Sequence, residues 1–241
     1  MIDFHTHILH HIDDGSHNVE ESIEMLRMSY AQGIDTVVLT PHFRRGENSI
    51  RPWLLERQLR CDQIRESLSE EDRKLIPRMI LGAEVEFMPD MNRWDYLDKL
   101  TISGTNYIMT EMPFTPWTES NVKVIDDIAL NTPFTPVIPH IDRYFHTFTP
   151  TKYIEHFYKM PVVIQMNSIY INGVHNTQFY KPLIESGKIQ ILGSDCHSAE
   201  WRQPDLGQAV ERLREVCSDE IVGRIDAYGR KMLEKAVYLD I

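Results

Sequence analysis

Short apolar runs alternate along the chain with longer stretches in which apolar residues recur every three or four positions. The runs at 1–5, 36–41, 78–85, 107–111, 135–140, 162–167 and 189–194 are rich in Val, Ile, Leu and Met, as strands buried on both faces should be. Amphipathic stretches at 19–32, 53–69, 122–130, 151–158, 178–186 and 205–216 predict helices between them, and 218–239 reads as one or two more. Gly33 and Gly187 each stand just before an apolar run, where a helix C-terminal stop is expected. About seven strand–helix units predict a parallel α/β protein, and a closed barrel or an open doubly wound sheet would fit. No Gly-x-Gly-x-x-Gly follows the first run, which argues against the dinucleotide-binding open sheet. Without linker, repeat or low-complexity segment, residues 1–241 read as one domain.

Composition narrows the function more than the fold. Hydrophobic residues make up 42% and charged residues 25% of the chain, which excludes a disordered or fibrous protein. No apolar run approaches the ~20 residues of a membrane helix, so membrane insertion is not expected. The opening Met-Ile-Asp-Phe-His lacks a basic segment and an apolar core, so the expected location is cytoplasmic. A net charge of −11 repels a phosphate backbone and argues against nucleic-acid binding. Three widely spaced cysteines, Cys61, Cys196 and Cys217, form neither a disulfide framework nor a zinc knuckle. Eleven histidines first hint at metal chemistry.

Position turns that hint into a site. The first run ends in His5-Thr-His7, the second in Thr40-Pro-His42 and the third in Glu84-Val-Glu86. The fourth ends in Glu111, the fifth in His140 and the seventh in Asp195-Cys-His197. In a parallel barrel the C-terminal strand ends converge on one face, where active sites are built. His5 and His7 are two apart, so on a strand both rings face the same way; Asp195 and His197 repeat the spacing. Asp13-Asp14-Gly15 adds carboxylates close behind. His5, His7, Glu84 and Asp195 buried together without partners would be costly, and a cation removes the cost. His10, His11, His17, His146, His156 and His175 are read as hydrogen-bonded or surface residues.

With these residues in place the sequence resembles the PHP family, named for polymerase and histidinol phosphatase. The resemblance rests on Asp3-Phe-His5-Thr-His7, Asp13-Asp14-Gly15, Thr40-Pro-His42, Gly82-Ala-Glu84, Pro139-His140 and Gly193-Ser-Asp195-Cys-His197, which together cover nearly the whole chain in the family's order. Within that family it is most similar to the metal-dependent protein tyrosine phosphatases of bacterial capsule and exopolysaccharide loci. That narrower likeness rests on the Asp-Asp-Gly step, Glu20-Glu21-Ser, Pro41-His42-Phe-Arg-Arg and His140-Ile-Asp-Arg143-Tyr144. The chain departs from it at Asp142, where the family often has Glu, and in Gly173-Val-His-Asn. The resemblance implies a distorted (β/α)7 TIM-like barrel and two or three divalent metal ions, manganese above all, with iron, cobalt or zinc as alternatives. It implies one metal on His5, His7, Glu84 and Asp195, a second sharing Glu84 with Glu111 and His140, and a third on Asp14, His42 and His197.

The expected reaction is hydrolysis of a phosphomonoester, on the phosphotyrosine of a protein. The substrate implied by resemblance is the tyrosine-rich tail of a capsule-assembly autokinase. Arg143 and Arg202 are the candidate catalytic phosphate contacts, because a guanidinium fork binds two oxygens. Arg44 and Arg45 are candidate rim contacts, and His42 or His197 could assist the leaving phenolate. Phe43, Phe114, Trp117 and Tyr144 could pack against the substrate ring. Cys196 and Arg202 have the Cys-x5-Arg spacing of cysteine phosphatases, but the intervening His-Ser-Ala-Glu-Trp has no glycine and carries an acid. A histidinol-phosphate phosphatase, a PHP-type exonuclease and an inactive binding domain are the rival readings. A homo-oligomer is left open.

Overall fold

The computed structural model describes residues 1–145 and 150–240, so the expectation for His146 lies outside the described residues. Among the described residues nine strands, paired in parallel with one another, trace a curled sheet. They are β1 (Ile2–Thr6), β2 (Thr36–Leu39), β3 (His42–Phe43), β4 (Arg78–Leu81), β5 (Glu84–Glu86), β6 (Tyr107–Glu111), β7 (Thr135–Ile138), β8 (Val163–Asn167) and β9 (Ile191–Gly193). Two expected strands are each split. The run at 36–41 breaks into β2 and β3 at Thr40-Pro41, since proline has no N–H for the ladder. The run at 78–85 breaks into β4 and β5 at Gly82-Ala83. Counted as whole positions, the strands follow one another in chain order around a seven-position barrel. The two ends are joined where the chain after β9 meets the chain after β1. Asp195 N–H donates to the His5 carbonyl at 2.7 Å and His7 N–H to the Cys196 carbonyl at 2.9 Å.

The helices are α1 (Val19–Ala31), α2 (Ile50–Ser67), α3 (Glu119–Asn131), α4 (Ile141–Tyr144), α5 (Thr151–Phe157), α6 (Ser168–Asn172), α7 (Thr177–Glu185), α8 (Leu206–Val216) and α9 (Asp219–Met232). Gly33 and Gly187 take φ of +80° and +74°, the left-handed geometry that ends α1 and α7 ahead of their strands. Between β5 and β6 the crossover contains only short 3-10 turns among its described residues. That segment carries Pro89 and Gly104 and no helical period. None of the described helices is long and apolar enough to cross a membrane.

Strand alternation builds the site in layers. Val38, Ile80, Met109, Val137, Val163 and Ile191, one from each of six strand positions, meet in a single buried cluster with Ile102, Met232 and Leu233. Two or four residues further along the chain from these come His42, Glu84, Glu111, Gln165, Asn167 and Asp195, at or just past the strand ends, and the period of two turns the strand-borne ones to the same side. The apolar layer thus forms the floor of the barrel and the polar layer its mouth. Gly193 lies between the two layers because a Cβ there would stand 2.5 Å from that of His5.

Candidate metal centre

Six ligand-type side chains meet around Glu84, which is 1% exposed. Its Oε2 lies 3.2 Å from His5 Nε2, 3.3 Å from His7 Nε2 and 3.1 Å from His42 Nδ1. Its Oε1 lies 2.8 Å from His140 Nε2, which is 3.4 Å from Glu111 Oε1. Asp195 Oδ1 stands 3.5 Å from Nε2 of both His5 and His7. At the outer edge the exposed Asp14 is 3.5 Å from His42 Nε2 and 3.7 Å from His197 Nε2. Three groups have donor atoms within 4.8 Å of one another: His5, His7 and Glu84; His42, Glu84 and Glu111; and His7, Asp14, His42 and His197. The expected ligands are therefore brought together, in a more interwoven arrangement than three separate sets. His7 joins the outer group and His42 reaches Glu84.

Ring orientation shows what the cage can bind. His5 Nδ1 faces Gln165 Oε1 at 3.2 Å, and that oxygen also accepts the His140 N–H at 2.8 Å. His7 Nδ1 faces the Asp13 carboxylate at 2.7 Å, and His197 Nδ1 the Asp195 carbonyl at 2.9 Å. Each acceptor holds a ring proton on Nδ1 and turns Nε2 towards the cage, the orientation that metal-binding histidines take. Yet His5 Nε2 and His7 Nε2 stand 3.1 Å apart with Glu84 beside them. Ring nitrogens and a carboxylate packed this closely in a buried site hold positive charge between them, ring protons in the metal-free protein or a bound cation, and imidazole with carboxylate suits a divalent transition metal. The donor set fits such an ion.

The charges respond accordingly. Burial alone would lower His7, but Asp13 and Glu84 outweigh it and push the ring up to about 10. At His140 burial is likewise overcome, by Glu111 and Glu84, which raise it to about 9. Burial opposes the charge on Glu84 and Asp195 too, but His5 with its neighbours holds both well below the usual carboxylate range. Burial, His7 and Arg202 lower His197 to about 3, and burial dominates in lowering His42. His42 and His197 are therefore neutral near pH 7, which suits ligation better than the expected proton donation to a leaving group.

Backbone strain is concentrated here. Among the described non-glycine residues, positive φ occurs at His11, His140 and Asp195, and two of these three carry site side chains. Gly15 closes the loop that holds Asp13 and Asp14, and a Cβ there would stand 2.1 Å from the His7 carbonyl oxygen.

The remaining sequence-derived residues divide. Arg143 donates to Asp195 Oδ2 and Arg202 forms an ion pair with the same oxygen, and both are only partly buried, which sets two guanidinium groups beside the cage. Arg202 also approaches His197 Nε2 at 3.2 Å. Arg44 is partly exposed on the loop after β3, 4.0 Å from Glu47. Arg45 departs from the expected rim role. It pairs with Asp90 at 2.6 Å and lies over the Trp94 ring at 4.8 Å, so its charge is engaged on the flank. Tyr144 departs as well: fully buried, it donates its hydroxyl to the Met112 carbonyl and supports the mouth from beneath. Phe43 packs on Trp53 and Trp94 in the core. Cys196 is completely buried in the core, and burial together with Asp3 pushes its thiol well above the usual range, opposite to what a nucleophile needs. His10 bonds Gln63 and His156 pairs with Asp126, while His11, His17 and His175 are exposed.

The sequence reading left some orienting groups without a role. Besides His7 Nδ1, the Asp13 carboxylate accepts the His42 and Gly15 N–H groups, each at 2.9 Å. Gln165 donates to Asn167 Oδ1, and Asn167 donates to Asp195 Oδ2 at 2.8 Å. The β8 strand thus orients ligands on both sides of it. Its signal was two amides, two apart, in an otherwise apolar run.

The chain is 29% identical over 227 residues to the tyrosine-protein phosphatase YwqE of Bacillus subtilis, covering 92% of this chain and 87% of the relative. It is 28% identical over 226 residues to the tyrosine-protein phosphatase CpsB of Streptococcus pneumoniae, covering 88% of each. A crystal structure from a study of YwqE and CpsB, described as unique metal-dependent tyrosine phosphatases, superposes with a TM-score of 0.82 and 25% identity, covering 98% and 96% of the two chains. An organophosphorus hydrolase variant shares the fold at a TM-score of 0.55 and 13% identity, over 96% of this chain and 92% of that one. Residues 1–233 match the capsular polysaccharide synthesis family CpsB/CapC, and the chain, a PHP-type α/β barrel, belongs to that family.

Proposed function

We propose that the chain is a metal-dependent protein tyrosine phosphatase, and the observation that carries this reading is the cage of histidine ring nitrogens converging on Glu84 with two arginines beside it. His5, His7, Glu84 and Asp195 would hold one ion. Glu84, Glu111 and His140 would hold a second, and Asp14, His42 and His197 a third. Manganese is the favoured ion, and iron, cobalt or zinc suit the same donors. Bound ions would supply an acidified water as nucleophile and positive charge for the phosphoryl oxygens.

The protein's own groups do the rest. Asp13, Gln165 and the Asp195 carbonyl hold the histidine rings in the ligating tautomer. Arg143 and Arg202 carry five donors each and use only part of them on Asp195 and His197, so both can take phosphate oxygens. A phenolate leaves with a conjugate-acid pKa of about 10, so it needs little proton assistance from the neutral His42 and His197. The substrate class that follows is a phosphotyrosine protein, with the tail of a capsule-assembly autokinase in the cytoplasm as the physiological candidate.

Turnover of a phosphotyrosine peptide in the presence of manganese tests the proposal. Activity should vanish with a chelator, return with manganese, and survive Cys196→Ser. Activity that resists chelation and is lost in Cys196→Ser would overturn it.

A further inference from the structure

Four aromatic residues of the mouth loops were candidates for meeting a substrate ring, and the structure separates them. Phe43, Trp117 and Tyr144 are buried, whereas Phe114 is 51% exposed. Its ring lies on His140, with centroids 5.7 Å apart and planes 24° apart, and on Tyr144 at 5.6 Å and the same angle. His140 is itself 2.8 Å from the central Glu84. A large apolar side chain held half in water next to a polar cage forgoes burial that its three neighbours obtain.

The loop is built to keep it there. Pro113 and Pro116 flank Phe114 and Thr115, and each fixes its own φ. The Trp117 indole N–H donates to the Pro113 carbonyl at 3.0 Å and closes the loop on itself. The Tyr144 hydroxyl ties Met112 at the loop's base, at 2.9 Å. Trp117 anchors the far end against Tyr144 and Phe157. The platform is thus set before any ligand arrives, which lowers the entropic cost of binding on it.

We propose that Phe114 is the specificity-determining residue of this site: the open part of its ring carries the aryl group of an aryl phosphate whose phosphoryl group lies at the cage. The inference rests on the phosphatase reading and adds to it a structural reason for phosphotyrosine over alkyl phosphates. An aromatic contact of this kind is worth a factor of about 3–10 in binding.

The test compares Phe114→Ala and Phe114→Tyr with the native manganese-loaded protein on two peptides of one sequence, carrying phosphotyrosine or phosphoserine. Phe114→Ala should lose about 3- to 10-fold in kcat/KM on the phosphotyrosine peptide, keep its rate on the phosphoserine peptide and keep its metal content, while Phe114→Tyr retains both activities. Calorimetric binding of phenylphosphonate and methylphosphonate gives a readout without turnover. The native protein should prefer the phenyl compound, and Phe114→Ala should lose that preference. Equal losses on both peptides, or an undiminished phenyl preference in the variant, would overturn the role of Phe114. A native protein that prefers phenylphosphonate through Phe114 but hydrolyses neither peptide would overturn the phosphatase reading and leave the platform standing.

Discussion

Replacing Asp13 by asparagine isolates the orienting shell from the ligands, because Asp13 touches the cage only through its neighbours. Its Oδ2 receives both His7 Nδ1–H at 2.7 Å and the His42 N–H at 2.9 Å, while Oδ1 receives the Gly15 N–H at 2.9 Å. An asparagine has one acceptor oxygen and one donor NH2, so Asp13→Asn must take one of two arrangements. With the NH2 towards Gly15, a buried N–H faces another donor, at a cost of about 1–3 kcal/mol in stability. With the NH2 towards His7, the buried His42 N–H also loses its acceptor and the ring must change tautomer, and Nε2 then presents a proton to Glu84 and Asp195 where a metal needs a lone pair. In that second arrangement metal affinity should fall about 10- to 100-fold, which is about 1.4–2.7 kcal/mol. Calorimetric titration of manganese and denaturant unfolding of the metal-free protein separate the two. Apo stability falls in either arrangement, through the Gly15 N–H in the first and the His42 N–H in the second, and metal affinity falls as well in the second. A variant that matches the native protein in both measurements would refute the tautomer argument.

Other expectations follow from the same geometry. His7 and His140, raised to about 10 and about 9, hold their protons below those values in the metal-free protein. Metal uptake near pH 7 should therefore release protons, and affinity should climb as pH rises towards 9; titration in buffers of different ionisation enthalpy reads this, and binding without proton release would contradict it. Arg143→Lys combined with Arg202→Lys keeps both charges but loses the forks, and kcat/KM on a phosphotyrosine peptide should drop by about 10²-fold with metal content unchanged. Asp35 is opposed by burial but receives Arg230 and the N-terminal ammonium, which lower its carboxyl to about 2. A depressed carboxyl stabilises the fold above its ordinary pKa, and that stability is lost as pH falls from about 4 through 2. The side chain is 43% exposed, so solvent screening limits the contribution. Asp35→Asn should cost only about 0.5–1 kcal/mol at pH 7, a difference that urea unfolding should find shrinking towards pH 3.

Much of the fold is legible before any coordinates. Strands buried on both faces have to be apolar throughout, so they stand out as runs, and helices covering them have to be amphipathic. The breaks are less visible. Pro41 and Gly82 stop ladders inside runs that read as continuous, and the crossover from β5 to β6 dispenses with an α-helix. Among site residues the strand-borne donors were readable, since His5 and His7 share a face by spacing alone. Arg45 and Tyr144 were not placed correctly, because Asp90 and Met112, which capture them, lie 45 and 32 residues away in the chain. Nothing local announces such partners.

What the sequence determined by itself is the inventory and its address: imidazoles and carboxylates at the C-terminal ends of parallel strands, where the period of two turns them inward. What only the tertiary structure decided is how those groups face one another. The approach of Glu84 and Asp195 to His5 and His7, the acceptors that hold those rings and the exposed Phe114 ring lying on His140 all arise from contacts between different strands and loops. Barrel closure creates those contacts, and chain order alone does not contain them.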